Sequence, residues 1–186
     1  MSALLEVFSG FGLSASAGLN AYIPLLVTAL LAKFTNLIQL QEPWDALTSW
    51  WIIGLLIFLT LMETFMDKIP VVNHFNDIVQ SIVRPTAGAI VFAASANVIT
   101  NVHPVLALAL GLLVAGSVNL VKTAIVRPVV SATTAGVGNV PVSTMEDVTS
   151  TGVSILAIVI PIAVAVLIIF LLLWIIWRYG IRPLVS

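Results

Sequence analysis

The stretch GVSILAIVIPIAVAVLIIFLLLWIIW, residues 152–177, runs for 26 residues without a charged side chain. A helix needs about 20 apolar residues to cross a hydrocarbon core of roughly 30 Å, so this run alone is long enough to span a bilayer. Pro161 predicts a kink in it. Trp174, Trp177, Arg178 and Tyr179 predict an interfacial anchor at its end. The rest of the chain agrees. Of its 186 residues 60% are hydrophobic and 8% charged, against about 45–50% and about 25% in soluble domains. Seven Lys+Arg and eight Asp+Glu cannot coat a soluble surface of this size. The composition therefore predicts an all-α integral membrane protein, read as a single transmembrane domain over residues 1–186. A net charge of -1 with no basic stripe argues against nucleic acid as a partner. The absence of cysteine removes disulfides, thiolate ligands and thiol nucleophiles. Glu6 stands where a signal peptide would be basic, so the chain is expected to insert as it stands.

Four full spans are expected, with two broken or re-entrant segments. The spans are about 46–66, 86–100, 105–121 and 152–177, with Trp44, Trp50 and Trp51 marking an interface before the first. Residues 3–34 are interrupted by Gly10, Gly12, Gly18, Asn20 and Pro24 and predict two short helices meeting at a Ser/Gly/Asn break. Residues 71–83 carry apolar side chains at helical spacing, and Arg84-Pro85 is expected to end that helix and begin the next. A four-residue turn at 101–104 would join the second and third spans as a hairpin, and residues 122–150 read as a second broken segment. Small residues such as Ala87, Gly88 and Ala93 allow close helix approach and suit a homo-oligomer. Basic residues divide four (Lys68, Arg84, Lys122, Arg127) to three (Lys33, Arg178, Arg182) between the sides, which does not set an orientation.

The chemistry lies in charges placed where lipid should be. Glu63 is 12 residues past Trp51, about 18 Å along a helix. Glu63 and Asp67 are four residues apart and share a helix face. They repel unless a cation, a basic group or a proton intervenes. One reading is a structural network in which Lys68, Arg84, Lys122 and Arg127 neutralise Glu63, Asp67, Asp77, Glu146 and Asp147. The other is a polar site for an ion or an anionic headgroup; a span ending in water is a third.

Two 11-residue segments, 14–24 and 131–141, both begin Ser-Ala, contain Gly and Asn and end in Pro. Gly-interrupted segments in corresponding halves point to an inverted-repeat transporter, with Asn20 and Asn139 coordinating beside the backbone of Gly18, Gly136 and Gly138. Ile-Val-Arg-Pro occurs at 82–85 and again at 125–128. Proline in a first helical turn would put Arg84 and Arg127 near helix N-termini, as an anion site; interfacial arginines are the plainer reading. His74 and His103 read as packing or interface residues. Phosphate-loop, serine-hydrolase and zinc-protease signatures are absent. Glu63, Asp67, Asp77 and Asp147 could hold Mg²⁺, but their spacing fits no enzyme signature.

The motifs GLSASAGLNAYIP (12–24), DKIP (67–70), RPTAG (84–88) and the stretch from Lys122 through Glu146-Asp147 resemble a bacterial membrane-protein family catalogued as domain of unknown function 4126. The resemblance implies a compact multi-pass protein of the bacterial inner membrane and supplies no activity. Transport or conduction of a small ion or solute is therefore the expected function, with no cofactor and with the bilayer as partner. Glu63 and Asp67 would exchange a proton or cation. A lipid-phosphate carrier and a non-transporting scaffold are the alternatives.

Overall fold

In a computed structural model, residues 3–68, 70–96 and 103–161 are described, together with Val166, Phe170, Leu171 and Trp174. All regular structure among them is helical: α1 (Ala3–Leu19), α2 (Tyr22–Phe34), a 3-10 turn (Trp44–Thr48), α3 (Trp50–Met66), α4 (Pro70–Ala96), α5 (Pro104–Val121), a π-helical turn (Lys122–Val126), α6 (Arg127–Thr134) and α7 (Asn139–Val159).

Local chemistry sets most of the boundaries. Asn20 ends α1 and starts α2, because its Oδ1 accepts from the backbone N–H of Tyr22 and of Ile23, both at 3.1 Å. Ser49 caps α3 by accepting from the Ile52 N–H. His103 caps α5 through Nδ1 ahead of Pro104. Ala135 and Gly136, both at positive φ, turn the chain from α6 into α7. At the far end α7 stops at Val159; Ile160, which precedes Pro161, has left the helical region at φ -136 and ψ 65. Steric conflict with the proline ring accounts for that break, at the place where a kink is expected.

Three sequence expectations are corrected. Gly18 is helical, and the break falls on Asn20 and Ala21 alone. Arg84-Pro85 does not divide two helices, since α4 runs through Pro85 without interruption. Packing on both sides of Pro85 outweighs the lost N–H, and the neighbouring Thr86 hydroxyl donates to the Ile82 carbonyl at 2.8 Å. Residues 122–150 are mostly helical, because the π turn carries α5 straight into α6 and α7 begins at Asn139. Residues 101 and 102 of the expected hairpin and most of the run beyond Pro161 lie outside the described residues.

α1 packs against α4, α5 and α7, while α2 lies against α3 and α7. The α4–α5 contact rests on glycine: a Cβ on Gly88 would collide with Ala115, and one on Gly111 with the Gly88 carbonyl. Gly18 joins them, since a Cβ there would lie 2.6 Å from the Ala115 carbonyl oxygen. Leu13, Ala17, Ala21, Val91 and Ala115 form the core. Phe11 meets Phe92 edge-on at 5.0 Å in a neighbouring cluster.

Polarity is inverted relative to a soluble domain. Leu55, Phe58, Leu61, Phe65, Ile82, Leu113 and Leu120 are exposed, whereas Glu63, Asp67, Arg84, Asn119, Lys122 and Arg127 are buried. Two helical stretches, around Ile78–Ser95 and over Pro104–Thr134, are long and apolar enough to cross a membrane; α2 and α3 are shorter apolar helices.

Candidate functional site

Five elements deliver charge to one point inside the bundle. Glu63 and Asp67 descend one face of α3 and its C-cap, Arg84 comes from the middle of α4, Lys122 opens the π turn, and Arg127 opens α6 just beyond it. Glu146 comes from α7. Arg84 is fully buried and places Nη2 3.0 Å from Glu63 Oε1 and 3.5 Å from Asp67 Oδ2. Its Nε also donates to Glu63 Oε1, and its Nη1 donates to Asn119 Oδ1 at 3.1 Å. Asp67 Oδ2 is shared with Lys122 at 3.7 Å and Arg127 at 3.3 Å. Lys122 and Arg127 each reach Glu146 Oε2 at 2.9 Å. Three bases thus hold three acids in one continuous network.

Backbone completes the network at the α1–α2 break. The Ala21 N–H donates to Glu63 Oε2 at 3.1 Å, and Lys122 Nζ donates to the Leu19 carbonyl at 2.9 Å. A helix with its hydrogen bonds closed could offer neither group. Asn20 capping therefore has a second consequence: it frees an acceptor and a donor for the buried charges. Asn20 Nδ2 also donates to Asp147 Oδ1 at 2.9 Å, bringing a fourth carboxylate to the edge of the network.

The sequence-derived candidates divide clearly. Glu63, Asp67, Arg84, Lys122, Arg127 and Glu146 meet, and Asn20 and Asp147 adjoin them. Both arginines of the repeated Ile-Val-Arg-Pro face carboxylates. Pro85 lies mid-helix and Pro128 follows a continuous turn, so neither arginine sits at a free helix N-terminus. Lys68 is half-buried and makes no ion pair among the described residues. Asp77 and His74 lie on α4, with side chains outside the described residues. Asn139 does not partner Asn20; its Nδ2 donates to Ser131 Oγ across the α6–α7 turn. Gly136 and Gly138 belong to that surface turn and not to the charged network.

The sequence reading passed over Asn76 and Asn119. Asn76 donates to Asp67 Oδ1 at 2.7 Å, and Asn119 orients Arg84. An amide alone in the apolar α5 stretch was the available signal. It also missed the buried hydroxyls between α1 and α7, where Ser16 Oγ lies 2.7 Å from both Ser150 Oγ and Ser154 Oγ. A separate cavity of about 330 Å³ at the other end of α1 is lined by Glu6, Ser9, Asn36, Gln39 and Ser95 among others.

The residues that build this network fall in the motifs of one family, which matches residues 7–180. The chain belongs to the family described as a domain of unknown function (DUF4126). In this DUF4126 chain the match takes in all of the ion-paired residues and the α1–α2 break. Comparisons with curated proteins and with solved structures gave no match.

Proposed function

We propose that this chain is a multi-pass membrane protein that moves a small ion or solute, with the ion-paired network as its site. Four full spans would be α3, the second half of α4, α5 and the 152–177 run; α1–α2 and the segment through α6 would be the broken elements. The apolar exterior supports this, because a surface so rich in exposed Leu, Ile and Phe belongs against lipid or protein and not water.

The observation that carries the functional reading is the α1–α2 break, which presents the Leu19 carbonyl and the Ala21 N–H to buried charges. Unwound backbone at membrane depth is tolerated where it is buried or lines a cavity. Discontinuous helices that offer carbonyls and N–H groups are how many transporters hold their ions. Energetics point the same way: burying ion pairs costs several kcal/mol per ion, and apolar side chains of similar volume are often as stable. Five buried charges and a sixth, Glu146, that is nearly so are then better explained by use than by stability.

One observation favours a second reading. The three bases are matched by three acids, as a purely structural scaffold would require. Reconstitution decides between them. Wild-type protein in vesicles should pass a small ion, and Glu63→Gln or Asp67→Asn should abolish or strongly reduce the flux while insertion and folding persist. A scaffold gives no flux in any form. A lipid-phosphate carrier would be hit harder by Arg84→Gln or Arg127→Gln than by the carboxylate changes.

A further inference from the structure

The buried polar atoms without a hydrogen-bond partner in the protein are concentrated in one place. Of eight such side-chain atoms among the described residues, five lie on α7 or on the arginine that pairs with it: Asn139 Oδ1, Ser143 Oγ and Asp147 Oδ2 on α7, and Nε and Nη1 of Arg127, which binds Glu146 of the same helix. Ser143 is wholly buried and Arg127 is 5% exposed, so neither side chain is satisfied by bulk solvent. Asn139, Ser143 and Asp147 follow at four-residue intervals on α7, and so form a row of oxygens about 6 Å apart along one face. The row begins at the α6–α7 turn, which is largely exposed, and ends at Asp147, which Asn20 ties to the α1–α2 break.

We propose that this row is the entry path of an alkali-metal cation, and that Asp147 is the carboxylate that receives it. The inference rests on the transport reading above and names its substrate class and its residue. Charge arithmetic singles out Asp147. Glu63, Asp67 and Glu146 are each in ion-pair contact with one or more of Arg84, Lys122 and Arg127, whereas Asp147 faces an amide and makes no ion pair among the described residues. It therefore adds one negative charge to a balanced network. A single carboxylate oxygen followed by hydroxyl and amide oxygens suits a hard cation of unit charge. Ca²⁺ takes six to eight oxygens, commonly several of them carboxylates, and no group of three acidic or imidazole side chains converges in metal-binding geometry among the described residues. An anion would meet Asp147 head-on. The positive charge of Arg127 beside the row is offset by its contacts with Asp67 and Glu146.

The test uses the full chain in detergent, melted at equal ionic strength in sodium, potassium and choline chlorides. A cation that binds only the folded protein raises the melting temperature with its concentration. Sodium or potassium should raise it in a saturable way relative to choline. Asp147→Asn and Ser143→Ala should each weaken the apparent affinity by about tenfold or more, equivalent to about 1.4 kcal/mol, each read against the same variant's own melting in choline. Identical melting of the wild type in all three salts would overturn the proposal, as would an undiminished response in Ser143→Ala and Asp147→Asn. Because the wild-type comparison needs no variant, a misfolded mutant does not blunt the test. Vesicle flux separates this proposal from the one beneath it. A salt-specific shift lost in Asp147→Asn with no flux in vesicles leaves the cation site and removes transport. Flux abolished by Glu63→Gln without any alkali-ion shift removes the cation site and leaves transport.

Discussion

Replacing Arg84 with methionine should be among the most damaging single changes in the chain. The side chain is fully buried, and its guanidinium contacts Glu63, Asp67 and Asn119 at once. Methionine fills much of the volume, so the loss is electrostatic more than steric. Glu63 would keep only the Ala21 N–H and lose its nearest cation. Removing one partner of a buried pair costs about 3–5 kcal/mol because the other charge is stranded. Glu63→Gln is milder, since Arg84 retains Asp67 at 3.5 Å and Asn119 at 3.1 Å. In the double variant no glutamate is stranded, so its destabilisation should fall short of the sum of the singles by about 0.5–3 kcal/mol, the range for directly contacting groups. Unfolding by titrated denaturing detergent, followed through the five tryptophans, supplies all four corners of the cycle. Stability of Arg84→Met within about 0.5 kcal/mol of wild type, or strict additivity of the two changes, would refute this account of the network.

Other consequences can be checked in the same assay. Asn20→Ala removes the α2 cap and the Asp147 contact and should cost about 1–2 kcal/mol. Gly88→Leu should part α4 from α5, because even a Cβ meets Ala115; overpacking of this kind costs about 1–3 kcal/mol or more, and cysteine cross-linking across the two helices should fall with it. Lys33 lies 4.5 Å from the Trp50 ring centroid and donates to the Thr48 carbonyl. Lys33→Met should therefore shift tryptophan emission while lowering stability by only about 0.5–1 kcal/mol, the size of an exposed cation–π contact.

The sequence carried the site further than it carried the path of the chain. A carboxylate pair at Glu63 and Asp67 inside an apolar run demands a counter-charge on energetic grounds alone, and only a few bases were available to supply it. Apolar run length located α3 and α5, and helical periodicity the first part of α4, since both follow from local composition and spacing. Proline and glycine misled because their local preferences compete with packing. Pro85 has every local reason to start a helix, yet α4 runs on because Gln80 and Arg84 before it and Ala87 and Val91 after it are buried in the bundle. Gly18 resembles a helix breaker and serves as a contact surface for α5. Glu146 and Asp147 are neighbours, but only the former is ion-paired; a difference set by what α1 and the π turn place beside α7 is invisible to pattern.

The π turn yields the last prediction. Lys122 and Arg127 are five residues apart, and five residues of α-helix rotate by about 500°, leaving their side chains about 140° apart around the axis. Yet both reach Asp67 Oδ2 and Glu146 Oε2. They can because the Arg127 N–H bonds the Lys122 carbonyl five residues back, which stacks residues at that spacing on one face. A π turn is in effect one residue added to an α-helix, so deleting Ala124 should let the segment relax to ordinary α geometry. The lysine and arginine would then be four apart, about 40° from alignment, and the helix on either side would keep its facing. Inserting an alanine after Ala124 should instead turn Arg127 by about 100° and take it from both carboxylates. The deletion is therefore expected to melt near wild type, and the insertion to lose about 3–5 kcal/mol as Asp67 and Glu146 lose a buried partner. A helix that merely connected α5 to α6 would tolerate both changes or neither, so equal damage from the two would refute the argument that the π turn exists to aim Arg127.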